Sequence, residues 1–151
     1  MRIKLTWQVA QNDDETVVTL KGDLDEQSDL DPLLTLAGKV TFDLAGIRRI
    51  NSEGVRRWVQ LIRRLSSVTE LAYVRCSLAV VTQLNYIKGF KGRAQVRSFF
   101  APYACRGTGE EEERLLSTED IANPTQPPTF SCPSGTWEFN DVPERYFAFL
   151  D

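Results

Sequence analysis

One stretch in the first half of the chain, residues 39–65, constrains the fold more than any other. It reads KVTFDLAGIRRINSEGVRRWVQLIRRL. Residues 40–44 are β-branched and aromatic with apolar side chains at alternate positions, which predicts a strand with one buried face, ended by Ala45-Gly46. From Val55 to Leu65 the apolar residues recur at helical spacing, which predicts an amphipathic helix. The polar turn Asn51-Ser52-Glu53-Gly54 precedes this helix.

The polar face of the predicted helix is rich in arginine. It carries Arg56, Arg57, Gln60, Arg63 and Arg64, with no acid and no lysine. Charged stripes on amphipathic helices are usually only solvated surface. Because arginine forms bidentate pairs with carboxylates, an interface for an acidic partner protein is the alternative.

Composition narrows the function classes. The chain contains no histidine, the usual general base and a common metal ligand, so we expect neither an enzyme nor a cofactor. Residues 1–107 hold sixteen Lys and Arg against eleven Asp and Glu, a mild excess without interleaved aromatic residues, so we do not expect nucleic-acid binding.

No apolar run approaches the roughly 18 residues of a membrane span. The first residues lack the apolar core of a signal peptide, and we therefore expect a cytoplasmic protein without membrane contact.

The rest of the first 103 residues reads as alternating strands and helices. Residues 3–9 and 16–22 predict an antiparallel hairpin, and the leucines around Pro32 predict a short helix. Further strands are predicted at 71–76 and near 96–100, with a helix at 78–87 between them. The predicted order is therefore β-β-α-β-α-β-α-β, an α/β fold in which helices cover a mixed sheet.

This order, with a buried strand ending at a polar turn ahead of an amphipathic helix, resembles the STAS domain (sulfate transporter and anti-sigma factor antagonist). In that family the turn is of the type Asp-Ser-x-Gly, and its serine is phosphorylated by a serine kinase that is the anti-sigma factor itself. The matching serine here is Ser52. Asn51 stands where the phosphorylated members have aspartate. Since serine is also a preferred helix N-cap, Ser52 is either a phosphoacceptor or a cap.

The resemblance implies a non-catalytic regulatory binding module of the anti-sigma factor antagonist type, acting by partner switching with an anti-sigma factor or a serine protein kinase. The implied partner-binding residues are Asn51, Glu53, Gly54, Arg56, Arg57, Arg63 and Arg64. Asn51 favours an alternative, an unphosphorylated STAS scaffold subunit in a signalling assembly. A homo-oligomer also remains open.

Residues 104–151 differ in kind from the first 103. Cys105 and Cys132 each precede a glycine-containing turn, and the two segments resemble the halves of a zinc ribbon. The second cysteine of each half is replaced, by Thr108 and by Gly135. A closed zinc site needs four Cys or His ligands, so we expect a degenerate ribbon-like β-hairpin appendage without a metal. The alternative is a zinc site completed by carboxylates or by another chain. A disulfide between the two cysteines is an alternative that the expected cytoplasmic location disfavours.

The last part of the chain is unusually aromatic. Trp137, Phe139, Tyr146, Phe147 and Phe149 fall within thirteen positions. Such a segment either packs back on the first domain or exposes an apolar contact surface, and we favour packing. The third cysteine, Cys76, is expected to be buried and inert.

Overall fold

The computed structural model describes residues 1–150 of the chain, and the strands in this range form two sheets. The strands of the first sheet are β1 (Thr6–Asn12), β2 (Glu15–Leu24), β3 (Gly38–Ile50), β4 (Val68–Val74) and β5 (Gln95–Val96). Those of the second sheet are β6 (Ser98–Cys105), β7 (Glu111–Ser117), β8 (Phe130–Cys132) and β9 (Gly135–Phe139). The α-helices are α1 (Ser52–Arg64), α2 (Leu78–Tyr86), α3 (Lys88–Lys91) and α4 (Pro143–Tyr146). Short 3-10 helices span Asp31–Thr35, Thr118–Asp120 and Ala148–Leu150.

The first sheet has the order β1-β2-β3-β4-β5. The β1–β2 pair is antiparallel, as predicted for a hairpin, and the remaining pairs are parallel. Parallel neighbours need a connection that crosses the sheet, and the segments containing the first 3-10 helix, α1 and α2–α3 supply these connections. The predicted α/β class with a mixed sheet is therefore confirmed.

Strand β3 is longer than predicted, because it continues through Ala45-Gly46 as far as Ile50. The expectation that Ala45-Gly46 ends the strand was wrong. A side chain at Gly46 would overlap the backbone and side chain of Lys21 on β2, where the β2–β3 register also shifts. Glycine here permits a close approach of two strands and does not mark a turn.

Helix α1 packs its apolar face on this sheet. Trp58 is 1% exposed and lies against the rings of Phe42, Tyr73 and Phe90. Its indole Nε1 donates to the hydroxyl of Tyr73 at 3.1 Å, so the polar atom of this large side chain is satisfied inside the core. The helical periodicity seen in the sequence thus corresponds to the buried face.

The second sheet is antiparallel with the order β7-β6-β9-β8. The predicted hairpin in the appendage corresponds to β8–β9, and it is one half of a larger sheet. The other half, β6–β7, begins at Ser98, so the predicted domain boundary after Tyr103 falls inside a strand.

Helix α2 packs against both sheets, since it contacts β3 in the first sheet and β6 in the second. On α2, the side-chain amide of Asn85 donates to the carbonyl of Tyr146 at 2.9 Å and accepts from the backbone N–H of Phe149 at 2.8 Å. Phe147 is 1% exposed and meets the ring of Phe99 edge to face. The aromatic C-terminal segment therefore packs back on the chain, as the sequence analysis favoured.

Cys76, at the junction of the two sheets, is fully buried as predicted. Burial raises the pKa of its thiol to about 12. Within residues 1–150, none of the helices has the length and apolar character that crossing a bilayer requires.

Candidate functional site

The candidate site lies where the carboxyl ends of two parallel strands meet. Leu24 at the end of β2 pairs with Ile50 at the end of β3, and the 51–54 turn follows directly. In α/β sheets this edge is the usual place for binding sites, because the loops that leave neighbouring strands converge there. The loop after β2, residues 25–30, lies beside the start of α1.

Asn51, and not Ser52, is the N-cap of α1. The Asn51 side-chain oxygen accepts a hydrogen bond from the backbone N–H of Gly54 at 2.8 Å. Its backbone carbonyl accepts from Val55 at 2.9 Å, which begins the helix. The alternative that Ser52 caps the helix was therefore wrong. The cap is a polar residue of the same turn, but it lies one position earlier, at Asn51.

Ser52 is the first residue of the helix, and its side chain is exposed. Within residues 1–150 its hydroxyl has no hydrogen-bond partner among the protein atoms. Because Asn51 performs the capping, the Ser52 hydroxyl is accessible without any cost to the helix.

The amide of Asn51 has a second contact that a carboxylate could not make. Its Nδ2 donates to the carboxylate of Glu26, in the loop after β2, at 2.7 Å. An ionised aspartate only accepts, so only the amide can cap α1 and donate to Glu26 at the same time. This contact links the start of α1 to the neighbouring loop.

Gly54 allows α1 to approach β2 closely. A Cβ at this position would overlap the carbonyl oxygen of Leu24. Glycine is therefore required by the packing of the helix start against the end of the strand.

The arginine face is less uniformly positive than the sequence indicated. Glu53 lies one turn before Arg56 and Arg57 and forms ion pairs with both. The pKa of Glu53 is lowered from its ordinary 4.5 to about 2, first of all by the hydrogen bond from Arg56. The charge of Arg56 and the hydrogen bond and charge of Arg57 lower it further. Since these pairs are solvent-exposed, they contribute more to the local arrangement of charge than to stability.

The other predicted arginines differ in their contacts. Arg57 also donates to the carbonyl of Ser28 at 2.6 Å, and Arg64 lies 3.9 Å from the carboxylate of Asp31. Arg63 is exposed and has no acidic partner within residues 1–150. The predicted face itself contains no acid, but Glu53 in the first turn of α1 and Asp31 on the first 3-10 helix place carboxylates beside it. A pocket of about 170 Å³ between α1 and the first 3-10 helix is lined by residues of both charges.

Residues of the loop after β2 were missed by the sequence analysis. Asp25, which is 7% exposed, accepts two hydrogen bonds from Arg2, at 2.6 and 3.0 Å. The hydrogen bond from Arg2 keeps the pKa of this carboxyl below its ordinary value. The hydroxyl of Ser28 accepts from the backbone N–H of Asp25 at 3.0 Å, which closes a tight turn. The available signal was positional: polar residues that follow one parallel strand lie beside those that follow the next.

A second group of reactive side chains lies in the second sheet. The Sγ atoms of Cys105 and Cys132 are 2.9 Å apart, and both thiols are free. The hydrogen bond from Cys132, with further ones from Thr108 and Ser134, lowers the pKa of Cys105 to about 6. The pKa of Cys132 is raised, first of all by the same hydrogen bond.

The residues around the two cysteines do not fit a closed zinc site. Tetrahedral structural zinc needs four Cys or His ligands, and Thr108 and Gly135 stand at the remaining positions of the ribbon pattern. No cluster of three or more His, Cys, Asp or Glu side chains arranged for a metal ion occurs in residues 1–150.

Two comparisons with known proteins add no relative. A scan against protein-family models and a search of curated proteins both find no match to this chain.

Proposed function

We propose that this protein is a non-catalytic regulatory binding module of the anti-sigma factor antagonist type, built on a STAS-like domain. Its partner is an anti-sigma factor or a related serine protein kinase in the cytoplasm, and Ser52 is the phosphoacceptor. The observation that carries the proposal is the exposed Ser52 hydroxyl at the first position of α1, with capping assigned to Asn51.

A phosphate at Ser52 would be compatible with the helix. At the first helical position it faces backbone N–H groups that have no partner within the helix, and the helix dipole favours its charge. Phosphorylation would therefore change the surface charge without unfolding the helix start.

The same phosphate would also rearrange the neighbouring charges. Arg56 lies four positions after Ser52, one turn along the helix, and pairs with Glu53 in the unmodified chain. A phosphate carries about −1.5 to −2 charges and competes with Glu53 for that guanidinium. An acidic partner surface docked on Arg56, Arg57, Arg63 and Arg64 would then be repelled.

The test is a pull-down from the native cell with the wild type, Ser52→Ala and Ser52→Asp, together with mass spectrometry of Ser52. We expect a kinase-like partner to bind the wild type and Ser52→Ala and to be lost with Ser52→Asp, and we expect phosphate on Ser52 in the cell. An acid in the first turn stabilises a helix by about 0.3–1 kcal/mol, so loss of binding would not reflect unfolding.

Ser66→Asp is the matched control. Ser66 is also exposed and lies just after the C-terminal end of α1. The substitution therefore introduces the same negative charge at a place away from the 51–54 turn. We expect this variant to retain the partner. Equal capture by all four proteins, with no phosphate on Ser52 under any condition, would contradict the switch.

The second candidate is an unphosphorylated STAS scaffold subunit that uses the same surface constitutively. It is favoured by the amide at position 51, because Asn51 supplies no carboxylate beside the hydroxyl and its Nδ2 is engaged by Glu26. For a scaffold we expect every Ser52 variant to capture the same partners and the double variant Arg63→Glu/Arg64→Glu to lose them.

A further inference from the structure

The two cysteines of the second sheet lie in turns that fit against each other. Cys105 ends β6 and Cys132 ends β8, and each begins a turn. Gly107 in the first turn packs so closely on Ser134 of the second that a Cβ there would overlap the serine carbonyl. The backbone N–H of Arg106 donates to the carbonyl of Thr136 at 3.0 Å, which holds the first turn against β9.

This packing brings the two sulfurs together without any covalent bond between them. The Sγ–Sγ distance of 2.9 Å exceeds a disulfide bond, about 2.05 Å, by less than an ångström. The cysteines are 27 positions apart in the sequence, so the fold, and not chain proximity, creates the contact.

Access and protonation also suit thiol chemistry. Cys132 is partly exposed, whereas Cys105 is 3% exposed and lies behind it. A hydrogen bond from the Cys132 thiol, and further ones from the Thr108 and Ser134 hydroxyls, stabilise the thiolate of Cys105, which is the nucleophilic form of a cysteine. The third cysteine, Cys76, is fully buried in the core.

We propose that Cys105 and Cys132 form a reversible disulfide that locks the second sheet in response to the thiol–disulfide balance around the protein. The oxidant is a low-molecular-weight disulfide of the oxidised glutathione class. This proposal is independent of the proposed function, because it concerns neither Ser52 nor the arginine face.

The reaction proceeds by two exchange steps. The more exposed Cys132 passes its proton to the adjacent Cys105 thiolate, 2.9 Å away. The resulting Cys132 thiolate attacks one sulfur of the small disulfide, forms a mixed disulfide and expels one small thiolate, which takes the proton from Cys105. The Cys105 thiolate then attacks the Cys132 sulfur, forms the internal S–S bond and expels the second thiolate. The protein loses two protons and two electrons, and the small disulfide is reduced to two thiols.

The bond would tie β6 directly to the turn between β8 and β9. In the sheet β9 lies between β6 and β8, so the link would bridge β9 at one end of the sheet. It would close a loop that contains β7 and the 118–129 connection.

The native full-length protein is equilibrated in glutathione buffers that range from fully reduced to fully oxidised. Each sample is then quenched with acid and unfolded, its free thiols are alkylated, and the products are identified by mass spectrometry. In the oxidised buffers we expect the intact mass to fall by two hydrogens, a single alkylated residue at Cys76, and a cross-linked peptide joining Cys105 to Cys132. Return to reducing buffer should restore three alkylated cysteines. The midpoint should not depend on protein concentration, because the bond forms within one chain.

Cys132→Ser is the matched control, since it keeps a small polar side chain and removes one sulfur. We expect this variant never to lose two hydrogens and to show no cross-linked peptide. Three results with the wild type would overturn the proposal: alkylation of both cysteines in every buffer, stable glutathione adducts on both, or a cross-link only between chains. Protection of both thiols by stoichiometric zinc under reducing conditions would also overturn it and would indicate a metal site instead.

Discussion

Asn51 has two functions that a substitution can separate. Its oxygen caps α1 at Gly54, and its amide donates to Glu26. Loss of an N-cap costs about 1 kcal/mol, within a range of about 0.5–2, so we expect Asn51→Ala to lower the free energy of unfolding by that amount. Asn51→Asp retains the acceptor but places a second carboxylate beside Glu26, and it should lose less than Ala. Urea denaturation of the three proteins checks this order, and equal losses for Ala and Asp would contradict it.

The exposed ion pairs of Glu53 make a small part of the stability depend on pH, because solvent screens most of their energy. Hydrogen bonding and charge from Arg56 and Arg57 lower its pKa from 4.5 to about 2 in the folded state. A folded-state pKa below the ordinary value means that ionised Glu53 stabilises the fold above pH 4.5 and that this contribution is lost as the pH falls towards 2. We therefore expect Glu53→Gln to be less stable than the wild type at neutral pH and equal to it at the acid end of this window.

Urea denaturation of both proteins across that pH range measures the difference. Salt screens exposed charges, so the difference should also shrink when the neutral sample contains molar salt. A difference that persists unchanged into acid would show that Glu53 acts through something other than its charge.

At the scale of elements, the strand, turn and helix of residues 39–65 were predictable because their apolar residues follow two different periods. The extension of β3 to Ile50 was not, because it depends on the shifted register of β2 and the close approach at Gly46. The cap moved from Ser52 to Asn51 for a related reason. Both residue types cap helices, so the local sequence alone does not decide between Ser52 and Asn51.

Because α1 packs closely on β2, we expect a glycine-to-alanine substitution in this helix to lower the free energy of unfolding, the opposite of the usual effect. Replacing glycine by alanine inside a helix normally stabilises it by about 1 kcal/mol. At Gly54 the added methyl group would overlap Leu24, and overpacking of this kind costs about 1–3 kcal/mol. We expect Gly54→Ala to lower the free energy of unfolding in urea. Ser52→Ala, on the exposed side of the same turn, should change it by less than about 0.5 kcal/mol, and a gain in stability at Gly54 would contradict the packing.

At the scale of the whole molecule, one continuous core joins the two sheets. The core includes Trp58 on α1, Phe99 on β6 and Phe147 in the C-terminal segment. We therefore expect residues 1–150 to unfold in one cooperative step, although the sequence analysis divided the chain after Tyr103. The three tryptophans, Trp7, Trp58 and Trp137, report on both sheets.

Fluorotryptophan incorporation and fluorine NMR during a urea titration follow the three sites in a single sample. Coincident midpoints would support one cooperative unit. A Trp137 signal that changes at lower urea than the signal of Trp58 would instead support two domains, with the second less stable.

The second sheet shows why the sequence revealed less about the later half of the chain. The resemblance to a zinc ribbon predicted a turn after each cysteine and a β-hairpin, and the aromatic residues predicted a buried segment. The pattern did not reveal that β6 belongs to the second sheet or that Asn85, within the predicted first domain, binds the backbone of residues 146 and 149. Such contacts join residues more than sixty positions apart, and local periodicity carries no information on them.

The contact of Asn85 with the C-terminal segment has a consequence for biosynthesis. A ribosome makes β1 to β5, α1 and α2 before it makes the segment that covers β6, and domains generally fold as they emerge. Until residues 143–150 leave the ribosome, the ring of Phe99 lacks its two aromatic neighbours, Phe147 and Phe149. The nascent chain thus presents an apolar surface on β6 during that interval, and the last residues to be synthesised are the ones that bury it.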